Sequence, residues 1–218
     1  MNHQDLPFLE RSPRDPSLSQ PPLLVLLHGR AAEAKTIFSI EGLLDPRLHV
    51  LAIRAPYESE LGGYEWFHPG TDETREEIKD AKRFNESEAI LLENIQSHIT
   101  RLGMESNDLF LWGFSQGAAM CQILGLRGKL KPMGVVPMSG FLPTPVRRWH
   151  EWSRHSKFLI AHGTNDEVLS QDSSLAAKSF LESKGVDVEY HEYKGRHKMT
   201  LASVAFVNDW IKKTAKLP

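Results

Sequence analysis

The 218-residue sequence predicts an α/β protein with a mostly parallel central sheet and helices on both faces. Three observations carry this prediction. Apolar runs of strand length alternate with segments of helical periodicity. The strongest runs, Leu23-Leu24-Val25-Leu26-Leu27 and Leu109-Phe110-Leu111-Trp112, are apolar without a break, as strands covered on both faces must be. The third is a serine between two glycines, Gly113-Phe114-Ser115-Gln116-Gly117, placed where one such run passes into a helical stretch.

Taken in order, residues 1–20 carry Pro7, Pro13 and Pro16 and read as an extended lead-in, with one edge strand around Leu6 to Glu10. Pro21-Pro22 closes it, and the run Leu23 to His28 follows, ending at His28-Gly29-Arg30. Ile37, Ile40, Leu43 and Leu44 then recur at helical spacing. Leu48 to Ile53 is a second buried strand, stopped by Ala55-Pro56. Tyr57 to Thr74 is a long loop containing Gly62-Gly63-Tyr64-Glu65-Trp66-Phe67, of a length usually reserved for function or a lid. Asn85 with Glu88 three residues on suggests a capped helix start, after which Leu91, Ile95, His98 or Ile99, and Leu102 share a face until Gly103. Beyond the serine and its helix, Met133 to Met138 is a strand containing Pro137, and Lys157 to His162 is another. A helix over Ser170 to Ser183, an alternating strand over Val186 to Tyr193 and a helix over Thr200 to Lys213 complete the chain. No repeat or interdomain linker interrupts it, so one domain over 1–218 is expected.

Composition removes several function classes. A formal net charge of -2 gives no electrostatic reason to expect nucleic acid or an anionic membrane as partner. Ten histidines show no metal-ligand spacing, so no metal site is expected. No run is long enough to span a bilayer, and the polar, proline-broken N-terminus has no apolar core of a secretory signal. Cys121 is the only cysteine, which rules out a disulfide framework within one chain. It is expected buried on the helix after Ser115. A cytoplasmic protein acting on a small molecule is the resulting expectation, with the oligomeric state open, a homodimer included.

The glycine-flanked serine is the pattern of a nucleophile elbow, a strained turn that lifts Ser115 Oγ clear of the backbone. A serine hydroxyl is a poor nucleophile until an oriented base takes its proton. Two later strand ends offer the parts. Asp166 lies in His162-Gly163-Thr164-Asn165-Asp166-Glu167, and His197 lies between the last strand and last helix in Lys194-Gly195-Arg196-His197-Lys198. Glu167 and His191 compete. Asp166 is favoured by the His-Gly-x-x-Asp setting and His197 by its loop position, whereas His191 sits inside a strand. The order Ser, Asp, His is that of α/β-hydrolases. The oxyanion needs two donors: the backbone N–H of Gln116 and, from the loop after the first strong strand, that of Arg30, with Gly29 allowing close approach. His28 reads as a hydrogen-bonder beneath that loop. Tyr64, Trp66 and Phe67 are either walls of a substrate pocket or anchors of their loop.

Several of these stretches recur in one consistent order. They are Leu27-His28-Gly29, Arg54-Ala55-Pro56, Gly63-Tyr64-Glu65-Trp66-Phe67, Gly113-Phe114-Ser115-Gln116-Gly117-Ala118, Met138-Ser139-Gly140 and His162-Gly163-Thr164-x-Asp166. From Leu23 onward the chain resembles the phospholipase/carboxylesterase family, small serine esterases related to acyl-protein thioesterases. The resemblance implies an α/β-hydrolase fold without a large cap, no cofactor, and ester hydrolysis with Ser115 as nucleophile, Asp166 as orienter and His197 as base. It also implies Gln116 and Arg30 as oxyanion donors and an acyl pocket walled by the Trp66 loop. Arg196 stands where the family commonly has glycine, which would either alter the loop geometry or add a positive charge near the base. Arg30-Ala31-Ala32-Glu33 lacks the extra glycine and acid of the acyl-protein thioesterase version. A carboxylesterase is therefore expected, with a lysophospholipase or acyl-protein thioesterase as alternative and a catalytically silent ligand-binding protein behind both.

Overall fold

A computed structural model describes residues 5–68 and 76–218. In chain order the elements are β1 (Phe8–Arg11), β2 (Leu23–Leu27), α1 (Ala34–Phe38), β3 (His49–Ile53), β4 (Tyr57–Glu58), β5 (Tyr64–Glu65) and α2 (Ala81–Arg101). They continue with β6 (Leu109–Phe114), α3 (Gln116–Arg127), β7 (Gly134–Met138), α4 (Thr144–Arg147), β8 (Lys157–Gly163), α5 (Gln171–Ser183), β9 (Asp187–Tyr193) and α6 (Leu201–Thr214). One seven-stranded sheet has the order β1-β3-β2-β6-β7-β8-β9, and β4 with β5 forms a separate hairpin. Within the large sheet β1 runs antiparallel to β3, and every other neighbouring pair is parallel.

The unbroken apolar runs are explained by two cores. Along β2, Leu23, Val25 and Leu27 face Leu91 and Ile95 of α2 and Met120 and Ile123 of α3. Leu24 and Leu26 point the other way, toward Ile37 of α1 and Val207, Trp210 and Ile211 of α6. Successive strand side chains alternate faces, so a strand covered on both sides has no position for a polar residue. Each fully buried leucine contributes roughly 1.5–3 kcal/mol. β9, at the sheet edge, alternates in burial as its sequence does.

Two boundaries differ from the sequence expectation. α2 begins at Ala81, where the Asp80 carboxylate accepts the Arg83 amide at 3.0 Å; Asn85 lies inside the helix. Glu88 is not part of a cap because it is buried against Arg127, at 2.6 Å from its Nε. The helix around Ile37 stops at Phe38 and a 3-10 turn, Glu41–Leu43, follows, leaving Leu43 exposed. β7 runs through Pro137 without ending. Its register with β8 skips Val136 and Pro137, where a residue without an N–H costs the ladder least. Ser170 and Thr200 cap α5 and α6 as N-terminal residues. Part of the Tyr57 to Thr74 loop, residues 69–74, lies outside the described residues. Among the described residues no helix is long and apolar enough to cross a membrane.

Candidate active site

Ser115 stands between β6 and α3 with φ 54° and ψ −116°, a backbone conformation that costs about 1–3 kcal/mol for a residue with a side chain. Backbone contacts hold it there. Its N–H donates to Met138 O at 2.9 Å, and its carbonyl accepts the Ala118 amide at 3.0 Å. The flanking backbone leaves no room: a Cβ on Gly117 would lie 2.1 Å from Leu27 O, at the end of β2. A Cβ on Gly29 would lie 3.2 Å from the Ser115 Cβ, so the loop leaving β2 touches the elbow. Cys121, farther along α3, is buried, and burial pushes its thiol up.

The loops after β8 and β9 bring Asp166 and His197 to the same point. His197 Nε2 lies 3.1 Å from Ser115 Oγ, and His197 Nδ1 lies 2.7 Å from Asp166 Oδ2. The other carboxylate oxygen accepts the amides of Val168 and Leu169, each at 2.9 Å. Burial pushes the Asp166 carboxyl up, but these amides and His197 outweigh it and hold it below the usual carboxylate range. The two loops are stitched through their backbones: Thr164 N–H donates to Tyr193 O and Asn165 N–H to Gly195 O, both at 2.9 Å. Tyr193 OH, within 3.1 Å of Ser139 Oγ, also donates to Lys198 O beyond His197. His191 is remote from this arrangement, stacked on Phe206. Glu167 is exposed and pairs with Arg196. That pairing sets a carboxylate against the arginine charge.

The loop after β2 is backed by the β4–β5 hairpin. Ala31 adopts a left-handed φ of 59°, and Tyr64 N–H donates to Ala32 O at 2.9 Å. Arg30 Nε donates to Glu65 Oε2 at 2.8 Å, and that carboxylate is buried. His28 Nδ1 lies 2.7 Å from Gly29 O, and its Nε2 accepts the Ala55 amide at 2.9 Å. Burial pushes this imidazole down to about 4. Gln116 is the first residue of α3, where helical N–H groups have no partner within the helix.

Trp66 and Phe67, read from the sequence as either pocket walls or loop anchors, are fully buried in the core. Trp66 Nε1–H donates to His28 O at 2.8 Å and its amide to Gln116 Oε1 at 2.7 Å, while Gln116 Nε2 donates to Phe67 O at 2.6 Å. These two aromatics anchor their loop against the elbow. Tyr64 is half-buried with the Arg54 guanidinium 3.9 Å from its ring centre. The Gln116 side chain, invisible as a structural link in the sequence, ties partners about fifty residues away.

A cavity of about 170 Å³ opens at Ser115, lined by Arg30, Thr36, Ile37, Phe114, His197 and Met199 among others. A second depression of about 290 Å³ lies on the other side of His197, against Glu167, Val168, Arg196 and Lys198. A larger one, about 370 Å³, lies between α2 and the end of α3 and includes none of these residues. Among the described residues no group of three or more His, Cys, Asp or Glu could hold a metal ion. Chemically, a hydroxyl, an imidazole and a buried carboxylate in hydrogen-bonded order, beside helix-terminal amides, can support nucleophilic acyl transfer.

Comparison with known proteins agrees with this architecture. The chain is 26% identical over 151 residues to acyl-protein thioesterase 1 of Yarrowia lipolytica, covering 64% of this chain and 66% of that protein. It is 27% identical over 118 residues to carboxylesterase SOBER1 of Arabidopsis thaliana, covering 52% of each. The matched segment thus spans about half to two thirds of the length of these curated relatives. The Bacillus cereus carboxylesterase structure superposes with a TM-score of 0.81 at 22% identity, covering 96% of this chain and 94% of that one. Esterase PE8 superposes with a TM-score of 0.80 at 23% identity, covering 96% and 98%. These structures share the fold. The profile of the phospholipase/carboxylesterase family matches residues 13–215, nearly the whole chain, and the protein belongs to that family.

Proposed function

We propose that the protein is a serine carboxylesterase that hydrolyses small carboxylic esters through an acyl-enzyme on Ser115. The observation that carries this reading is the hydrogen-bonded line from Ser115 Oγ through His197 to Asp166, drawn from three separate strand ends. In the first half-reaction Ser115 Oγ bonds to the ester carbonyl carbon while its proton passes to His197 Nε2. The oxyanion forms facing the backbone N–H groups of Gln116 and Arg30. On collapse the C–O bond to the alcohol breaks and His197 returns the proton to the leaving oxygen. Water then attacks the acyl-enzyme, with His197 as base, releasing the acid and restoring Ser115. Asp166 keeps His197 in the tautomer with Nε2 free to accept, and offsets the imidazolium charge in both steps.

The cavity at Ser115 is smaller than the roughly 300–1,000 Å³ typical of drug-sized ligand pockets, which favours a short acyl group. The relatives named acyl-protein thioesterase favour a second reading, cleavage of an acyl-protein thioester. A cytoplasmic location goes with either reading, since the single cysteine is buried and unpaired.

A fluorophosphonate probe should label the wild-type protein at Ser115. Ser115→Ala should lose both labelling and p-nitrophenyl butyrate turnover, by more than about 10³-fold, while keeping its circular dichroism spectrum. Retained turnover in the folded variant would sink the assignment. Relative kcat/KM on butyrate and palmitate esters and on a palmitoyl thioester decides between the readings. Preference for the palmitoyl thioester would overturn the short-acyl one.

A further inference from the structure

His162 is buried, unused by the mechanism above, and four residues before Asp166. Its Nε2 lies 3.0 Å from Leu169 O and 3.3 Å from Asp166 Oδ2, the same oxygen that faces His197. Both neighbours are acceptors only, so Nε2 must carry the proton. Nδ1 is buried and has no hydrogen-bond partner, which fits its being the unprotonated nitrogen of a neutral ring. Burial independently pushes this imidazole down, despite the adjacent carboxylate and carbonyl. Leu169 closes the circle, because its N–H donates to Asp166 Oδ1 at 2.9 Å while its carbonyl accepts from His162.

We propose that His162 is a positioning residue for Asp166. Its Nε2–H fixes the Leu169 loop and places a partial positive charge beside Oδ2, limiting how strongly that oxygen holds the proton on His197. The groups around Asp166 are then the amides of Val168 and Leu169 on Oδ1, the His197 N–H bonded to Oδ2, and the His162 N–H, which donates to Leu169 O and lies 3.3 Å from that same Oδ2. One imidazole takes part in proton transfer and the other stays neutral. Removing the His162 N–H concentrates the carboxylate charge on His197 and lets the aspartate turn.

This inference rests on the Ser115–His197–Asp166 reading, and wild-type fluorophosphonate labelling tests that reading separately. His162→Leu, which removes the donor, should lower kcat on p-nitrophenyl butyrate about ten-fold with KM within two-fold. It should also move the acid limb of the kcat/KM profile to higher pH. His162→Gln, whose amide nitrogen reaches the place of Nε2, should restore the limb to its wild-type position. If the leucine variant does not fold, His162→Asn serves instead, because its shorter amide reaches only the place of Nδ1. A wild-type limb in His162→Leu or His162→Asn, or an equal shift in His162→Gln, leaves His162 a packing residue and overturns the proposal. Failure of the wild type to label at Ser115 would instead remove the reading on which it rests.

Discussion

The serine elbow and the loop that faces it lie in contact, yet they are fixed by different forces. The elbow is held backbone against backbone: Ser115 bonds to Met138 and Ala118, and Gly117 lies where any Cβ would enter the Leu27 carbonyl. The facing loop, His28 to Ala32, has one backbone bond, Tyr64 N–H to Ala32 O, and is otherwise held by side chains reaching across the sequence, with Trp66 on His28, Glu65 on Arg30 and Gln116 on the Trp66–Phe67 backbone. Steric exclusion between backbones has almost no tolerance, because neither partner can choose another rotamer. Side-chain hydrogen bonds are individually worth only about 0.5–1.5 kcal/mol net, and they can be exchanged. Ser115 therefore has one geometry available, while the loop opposite, the proposed oxyanion wall, is adjustable by substitution.

The sharpest way to break that contrast is Gly117→Ala. Its methyl group would lie 2.1 Å from Leu27 O, at the end of β2, and 2.6 Å from His28 O, the first backbone carbonyl of the facing loop. The expected cost is about 4 kcal/mol or more, in the range that marks severe overpacking. Gly42→Ala, where nothing lies within 4 Å, should change stability by less than about 1 kcal/mol. Urea midpoints of the two variants check the difference. Similar midpoints would mean that the elbow yields as readily as the surface.

A smaller effect separates the facing loop from the elbow through pH. His28 is neutral in the folded protein, with its proton on Nδ1 toward Gly29 O and its Nε2 accepting from Ala55. Burial pushes it to about 4 from an ordinary 6.5. Between those values the unfolded chain binds a proton that the folded chain does not, so stability rises with pH across this window. Conversely it falls as pH drops from 6.5 toward 4, by about 3 kcal/mol in total. His28→Gln keeps an acceptor for Ala55 without a titrating group. Its unfolding free energy between pH 4.5 and 7 should have a shallower slope than wild type, and parallel slopes would refute the assignment.

The same contrast explains what could be read from the sequence. The strands were legible because burial on both faces demands unbroken apolar runs, and the elbow because backbone crowding demands glycine on both sides of Phe114-Ser115-Gln116. The placement of Asp166 and His197 followed from their positions after strands, and the structure brings both within hydrogen-bond reach in line with Ser115. What escaped depends on partners far apart in the chain. The start of α2 at Asp80 was hidden because Glu88 looked like a capping acid until Arg127 arrived from α3. The left-handed Ala31 carries no glycine to announce it, and Arg196 gave no sign that Glu167 would take its charge. Trp66 and Phe67 drew attention as large aromatics in a loop, but nothing in their own stretch says that the Gln116 amide holds them inward.

Trp66 gives the mildest test. Trp66→Phe keeps most of the ring in the core but removes the N–H that donates to His28 O, leaving a buried carbonyl unpaired. A stability loss of about 1–2 kcal/mol is expected. The loop carrying Arg30 should loosen, lowering kcat/KM on p-nitrophenyl butyrate by less than the ~10²–10³-fold lost when an oxyanion donor is removed outright. Chain-length preference decides what the residue is for. An anchor that never touches substrate changes the rate on butyrate, hexanoate and octanoate esters by one common factor. A wall of the acyl pocket would instead shift the profile toward longer chains as the smaller ring opened space, and that outcome would return Trp66 to the substrate. A common factor would make the hairpin a buttress, with chain length selected by the residues that line the cavity, Ile37 and Met199 foremost.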